Sequence, residues 1–564
     1  MSPAPVSAGI HSPGQGSRWT MIRYEWLACA IVIVGLIVLR IHFVSHVGGL
    51  WRDEVHSVDV ARNPLFPMWQ DSFPILWIAF LRGWVFVCGN SDDGSMRLAG
   101  LFCSLLMLGA GLWAAQGRSR AVPWTTLILF GMSPVVITFG TEVRGYALGA
   151  AAQFWMLGSM QRWLLRPSIR AGVVLVIASV VAVQTAYANS FLLLAGSLSA
   201  GIICVSEKRW RAFLFLMANG VFCAATVSYY ILVLLPSWTS DWVVVVRQEF
   251  PMSWYLLRMR DAFESGGPLP MLAWGLLCFA AAFGVKRRFN RSTESPNPTA
   301  TGSSGPTGAF ELLLLVCGTL LVLLYLKFLN VPTTDWYYLP ILALWAFCLD
   351  NMIATWTPRP ESPIFRLGTA MLLGAILFPA TWRAANVRLT NVDLAAKAIA
   401  AIATEQDLVI AQPWYFGIPL QRYYHGSAPW ISLPMVNTTE VPGTVIHADG
   451  YRAVKAAMMS KNSIAAELSR VRETLQRGGR VFVLGHVQLP RPGDPVIDLP
   501  PAPNSPHGWS DNAYQGLWRQ QLGFELQAHS KEIHPVPLET LQSVNQYENC
   551  DLYVAEGRFD SSPQ

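Results

Sequence analysis

Apolar residues in this chain come in long, nearly uninterrupted runs, separated by short polar stretches that concentrate the charge. A bilayer core takes roughly 20 apolar residues per helix, and that ruler predicts about eleven spans. They lie near 25–44, 96–116, 121–140, 144–164, 171–187, 189–205, 211–235, 268–285, 309–329, 336–356 and 364–382. Segment 73–89 (FPILWIAFLRGWVFVCG) is also apolar, but it is modest in length, holds Arg82 in its middle and is bounded by Pro74 and Gly89. It is expected to lie along the membrane surface as an interfacial helix. The stretch 286–308, rich in Pro, Ser, Thr and Gly, reads as a flexible linker. Beyond residue 382 the pattern changes. DLVIAQPW at 407–414 and RVFVLGHV at 480–487 are strand-like, and 451–478 has helical spacing. The fold class is therefore a polytopic α-helical membrane protein with a C-terminal soluble α/β domain. The expected division is a disordered cytoplasmic tail at 1–20, a transmembrane domain at 21–382 with an outer loop at 45–95, and the α/β domain at 383–564.

Composition agrees with a bilayer setting: 52% of residues are hydrophobic and 13% charged, with a mean hydropathy of +0.36. The net charge of +6 does not point to nucleic acid, because Lys and Arg fall in short clusters between apolar runs rather than along one face. Those clusters set an orientation by the positive-inside rule. With the N-terminus in the cytoplasm, the inner loops hold Arg118 and Arg120; Arg162, Arg166 and Arg170; Lys208, Arg209 and Arg211; Lys286, Arg287, Arg288 and Arg291; and Arg359. An odd number of spans then leaves the C-terminal domain outside, in the periplasm if the membrane is a bacterial inner membrane. Seven of nine cysteines sit inside apolar runs, and Cys88 and Cys550 share no metal-like spacing, so neither a structural disulfide nor a zinc finger is expected. The first apolar run is too long for a cleaved signal peptide and reads as a retained anchor.

Ionisable residues held near membrane depth are costly and mark candidate chemistry. Three clusters on the outer side qualify: GGLWRDEVHSV at 48–58, TEVRGYAL at 141–148 and TTDWYYLP at 333–340. Asp53 and Glu54 are adjacent, so they cannot share one face; one can look toward a reaction while the other looks toward structure. Arg52 and His56 flank them. A solvated loop and a packing histidine are the plain alternatives. In the second cluster Arg144 offers a planar fork of donors suited to phosphate at the headgroup level, beside Glu142 and Tyr146; snorkelling to ordinary lipid is its plain alternative. Trp336, Tyr337 and Tyr338 have the composition of an interfacial aromatic belt.

Taken in order, these clusters resemble the GT-C superfamily of glycosyltransferases, in particular bacterial relatives of protein O-mannosyltransferases and of the aminoarabinose transferase that modifies lipid A (glycosyltransferase families 39 and 83). The matching features are Asp53 and Glu54 after the first span, the proline-containing interfacial helix, and Arg97 and Leu98 at the head of the next span. The most specific is SPVVITFGTEVRGYAL, with Ser133, Pro134, Glu142, Arg144 and Tyr146. The family's Arg-Tyr before a Leu-Pro is replaced here by Trp336, Tyr337, Tyr338, Leu339 and Pro340, without the Arg.

The resemblance implies a GT-C fold and an inverting transfer of a sugar from a polyprenyl-phosphate donor to an acceptor hydroxyl at the outer face. It implies Asp53 as catalytic base and Glu54 as an orienting carboxylate. Arg144 would bind phosphate with Glu142 holding its geometry, and Arg52, His56, Arg97, Tyr146, Tyr337 and Tyr338 would line the substrate site. No compact metal-ligand set appears in the outer loops, so no cofactor is expected, although some members of the family bind a divalent ion through acidic loops. The partners expected are the lipid-linked donor, the acceptor and the bilayer. A multispan transporter or flippase is the competing class; it would carry polar or helix-breaking residues at mid-membrane in related halves, and the charges here concentrate at one face.

Overall fold

The computed structural model describes residues 13–557 apart from 65–66, 69–70, 118–120, 235–248, 266, 295–307, 355–361, 437–445, 492–493, 496 and 504–510. Residues 1–12 of the expected tail, 295–307 of the expected linker, and Arg118, Arg120 and Arg359 lie outside the described residues. Within the expected tail, residues 13–20 belong to the first helix, α1, which runs Pro13–His46. Pro13 suits a first helical turn, and extension ahead of a long apolar run adds one hydrogen bond per residue. The first part of the linker is likewise the end of the helix Pro268–Glu294.

Among the described residues, eight helices are long and apolar enough to cross a membrane: Arg23–His46, Asp93–Ala115, Ala188–Ser206, Trp210–Val233, Pro268–Lys286, Ala309–Leu329, Asp335–Ala354 and Pro363–Ala385. The other three predicted windows take different forms. Window 144–164 is α6 (Tyr146–Leu165), about 30 Å long at 1.5 Å per residue. It buries Gln153, Ser159 and Gln161 inside the bundle and is correspondingly less apolar. Window 171–187 is the 17-residue α7 (Ile169–Thr185). Window 121–140 is not one helix: a π-helical turn, Thr125–Phe130, gives way to the short α5 (Pro134–Phe139). Pro134 lacks an N–H, and side chains from elsewhere take over the backbone groups released at the break. Asp350 accepts the amides of Thr125 and Thr126 at 2.9 and 2.8 Å, and Arg40 donates to the Gly131 carbonyl at 3.2 Å. Segment 73–89 is α3 (Ile75–Cys88), 14 residues or about 21 Å, too short to span, as its sequence implied.

Along α1 the exposed residues Leu27, Ile31, Val34, Val38 and Ile41 alternate at steps of four and three, while Cys29, Leu36 and Phe43 are buried. An apolar stripe facing outward at helical spacing is at home only in lipid. The chain is a multi-pass membrane protein.

After α1 the backbone turns at Gly48, whose φ of 77° favours glycine, and enters α2 (Arg52–Arg62). The helix α4 (Asp93–Ala115) packs on α6, and α3 packs on α2. The C-terminal region holds a five-stranded sheet of order β2-β1-β3-β5-β4. Its strands are β1 (Leu408–Gln412), β2 (Trp430–Ser432), β3 (Arg480–Gly485), β4 (Ser530–Pro535) and β5 (Leu552–Gly557). β1 pairs in parallel with β2 and β3, in register Leu408↔Val481, and β5 is antiparallel to β3 and β4. The two sequence-predicted strands are the buried centre of the sheet, as their continuous apolar runs require.

Candidate functional site

The site is built where the start of α2, the loop before α3 and the loop before α6 converge. Glu54, at the third position of α2, accepts the Trp51 N–H at 3.1 Å, so its side chain caps its own helix. The same carboxylate accepts the Val143 N–H at 2.7 Å and pairs with Arg97 of α4, which also donates to the Gly49 carbonyl at 2.7 Å. Glu54 is fully buried and Arg97 nearly so. Burial pushes the Glu54 carboxyl up, opposed by Arg97 and the two amides. One buried ion pair thus ties the 48–54 turn, α4 and the 141–144 loop together.

Asp53, one residue earlier, faces the other way and keeps 24% of its side chain exposed. Its Oδ2 lies 3.9 Å from Arg144 Nη2, and its Oδ1 lies 3.4 Å from Arg52 Nε. Arg144 is 5% exposed and held from several sides. It donates to the Asp53 carbonyl at 3.0 Å, to Ser57 Oγ at 2.8 Å and to Ser72 Oγ at 2.6 Å, and pairs with Asp71 Oδ2 at 3.7 Å. Its guanidinium stands 5.1 Å over the Phe73 ring, whose edge meets Tyr146 at 4.8 Å. Tyr337 is half-buried and within electrostatic reach of Asp53, Arg144 and Arg52.

Several expected roles shift. Glu142 does not hold Arg144 by a hydrogen bond; it accepts the indole N–H of Trp51 at 2.9 Å and is fully buried. Burial and the neighbouring Glu54 carboxylate push its pKa well above the ordinary carboxylate value. Arg144 is held instead by Asp71, Ser57 and Ser72. Glu54 and Arg97 sit behind the site, and His56 is buried on the inner side of α2. Tyr338 is buried with its hydroxyl 3.0 Å from Thr333, away from Asp53, because the short 3-10 helix Asp335–Tyr338 puts successive side chains on different faces. Asp53, Arg52, Arg144, Tyr146 and Tyr337 are brought together.

The C-terminal region also reaches this place. Glu548 accepts the Arg52 N–H at 2.7 Å, Tyr547 meets Trp336 edge to face at 4.8 Å, and the Arg52 guanidinium lies 4.5 Å over Tyr415. Arg422 and Tyr423 clamp Asp93 at the head of α4, at 2.7 Å each. None of these residues forms a motif in sequence. The one signal available for Asp71 and Ser72 was a polar pair at the membrane edge, directly before Phe73 and Pro74.

No family model matches the sequence, and no curated protein matches it. In structure the chain is similar to ArnT from Cupriavidus metallidurans bound to undecaprenyl phosphate, at 12% identity and a TM-score of 0.48, over 81% of this chain and 92% of that one. It is also similar to the mycobacterial arabinofuranosyltransferase AftD, at 14% identity and a TM-score of 0.40, over 94% of this chain. It spans only 40% of AftD's length. Likeness of this degree leaves the chemistry to the site's own geometry.

Proposed function

We propose that the chain is an inverting glycosyltransferase of the GT-C type, moving a sugar from a polyprenyl phosphate to an acceptor hydroxyl at the outer face of the plasma membrane. The observation that carries the reading is a part-exposed carboxylate, Asp53, beside a buried guanidinium, Arg144, that is fixed on four sides. The acceptor O–H gives its proton to Asp53 as its oxygen bonds to the anomeric carbon. The bond from that carbon to the phosphate oxygen breaks, and the phosphate leaves with the electron pair. Arg144, already oriented, stabilises the charge that develops on the phosphate. Tyr146 and Tyr337 flank the reacting groups, and Arg52 Nε lies 3.4 Å from Asp53 Oδ1.

In this reading residues 383–564 form the outer domain and the N-terminus is cytoplasmic. The site's carboxylates are committed to Arg144, Arg52, Arg97 and Trp51, so the reaction is proposed to need no metal. Activity is expected to survive chelation by EDTA; its loss, restored by a divalent ion, would overturn that part.

The test is transfer of a labelled sugar from polyprenyl phosphate in membranes. Asp53→Asn should lose about 10²–10⁴-fold in rate, the worth of a general base, while the protein stays folded. Full activity in that variant would remove Asp53 from the mechanism.

A further inference from the structure

The C-terminal region adds a wall of its own side chains beside Asp53. Tyr415, in the short helical turn Trp414–Phe416 after β1, lies under the Arg52 guanidinium. Trp414 meets Tyr451 edge to face at 5.2 Å. Tyr451 lies within electrostatic reach of Arg52, Asp53 and Tyr337, and Asp511, at the start of the helix Asp511–His529, within reach of Arg52 and Tyr451. Glu548 closes the group from the loop before β5.

We infer that Tyr415, Tyr451, Asp511 and Glu548 form an acceptor subsite for a carbohydrate, a reading that rests on the glycosyl transfer proposed above. A sugar ring alternates apolar C–H faces with hydroxyls. Phenol rings offer flat apolar faces with a polar tip, and carboxyl groups take up hydroxyls. Burial pushes Glu548 up to about 8 and Asp511 to about 6, both eased by Arg52. Glu548 is fully buried and accepts the Arg52 N–H, so it braces the wall, and the part-exposed Asp511 is the carboxyl group that meets hydroxyls. No aliphatic side chain belongs to this group of four, as a fatty acyl acceptor would require. A site that hydrogen-bonds hydroxyls also discriminates strongly against ligands lacking them.

The experiment uses the full-length protein in nanodiscs, free of glycoside detergents, with saturation-transfer NMR to a panel of methyl pyranosides and furanosides and to a Ser/Thr hexapeptide. At least one glycoside is expected to receive magnetisation from the protein. Tyr415→Ala and Tyr451→Ala should each weaken its binding by about tenfold, as loss of one aromatic contact implies, and Tyr415→Phe should retain it. Undecaprenyl phosphate binding, followed on the same samples, should be kept in all three and so reports an intact membrane half. Transfer to no glycoside, transfer to the peptide instead, or glycoside signals unchanged in both Ala variants would overturn the subsite. Tyrosine-dependent glycoside binding, together with full sugar transfer by Asp53→Asn, would keep the subsite and sink the catalytic reading.

Discussion

Asp71 shows how a single residue governs the site without facing it. It is fully buried, accepts Ser57 Oγ at 2.8 Å and the Phe73 N–H at 3.0 Å, and supplies the second negative charge to Arg144. Without that charge Arg144 would draw Asp53 toward itself, away from an acceptor hydroxyl. Asp71→Asn should lower kcat/KM by about 10–100-fold, the worth of a charged hydrogen-bond partner, with the fold kept. A value unchanged in the sugar-transfer assay would assign Arg144's placement to the serines alone. The division between Asp53 and Glu54 was legible from their adjacency, since neighbours in a helix point apart. Asp71 was not: its partner Arg144 lies 73 positions further along the chain, and nothing in the local pattern of 67–74 records that distance.

The elements were legible where one periodicity decides them and illegible where distant groups do. Helices such as Ala309–Leu329 and the central strands β1 and β3 follow from apolar runs. Window 121–140 looked continuous because Asp350 and Arg40, which satisfy its broken backbone, belong to other helices. The edge strands β2 and β4 have mixed burial and no clean alternation. One packing detail of α4 bears directly on the site. A Cβ at Gly100 would stand 2.5 Å from the Thr141 carbonyl oxygen and 3.0 Å from that of Glu142, both backbone atoms. Gly100→Ala should therefore push the 141–144 loop outward. Its expected signature is a raised KM for the donor as Arg144 moves, measured beside an unchanged α-helical circular dichroism spectrum; a KM equal to wild type would show that the loop gives way without cost.

At the scale of the whole molecule, the two halves meet through charged and polar contacts at the rim of the site. Glu548 is one among them whose protonation should be felt as stability. Its pKa rises from 4.5 to about 8, mainly by burial. The folded state therefore holds a proton that the unfolded chain releases, and stability falls as pH rises from about 4.5 to about 8. Glu548→Gln removes that dependence. The melting temperature of the variant should decline less steeply than wild type across this window, and identical slopes would show that the carboxyl is ionised in place. The clamp of Arg422 and Tyr423 on Asp93, like the Glu548 contact, joins residues more than 300 positions apart, which is why the sequence showed two regions and not their seam. That seam has a kinetic meaning for the proposed reaction. A donor activated between Asp53 and Arg144 will surrender its sugar to any hydroxyl that reaches it, and the most abundant hydroxyl is water. In the proposed reaction the carbon under attack lies between the C-terminal wall and the bundle, so its protection from wasted turnover depends on how firmly the halves stay together. On the proposed reaction, loosening the Asp93 clamp is expected to raise hydrolysis of the donor before it lowers sugar transfer.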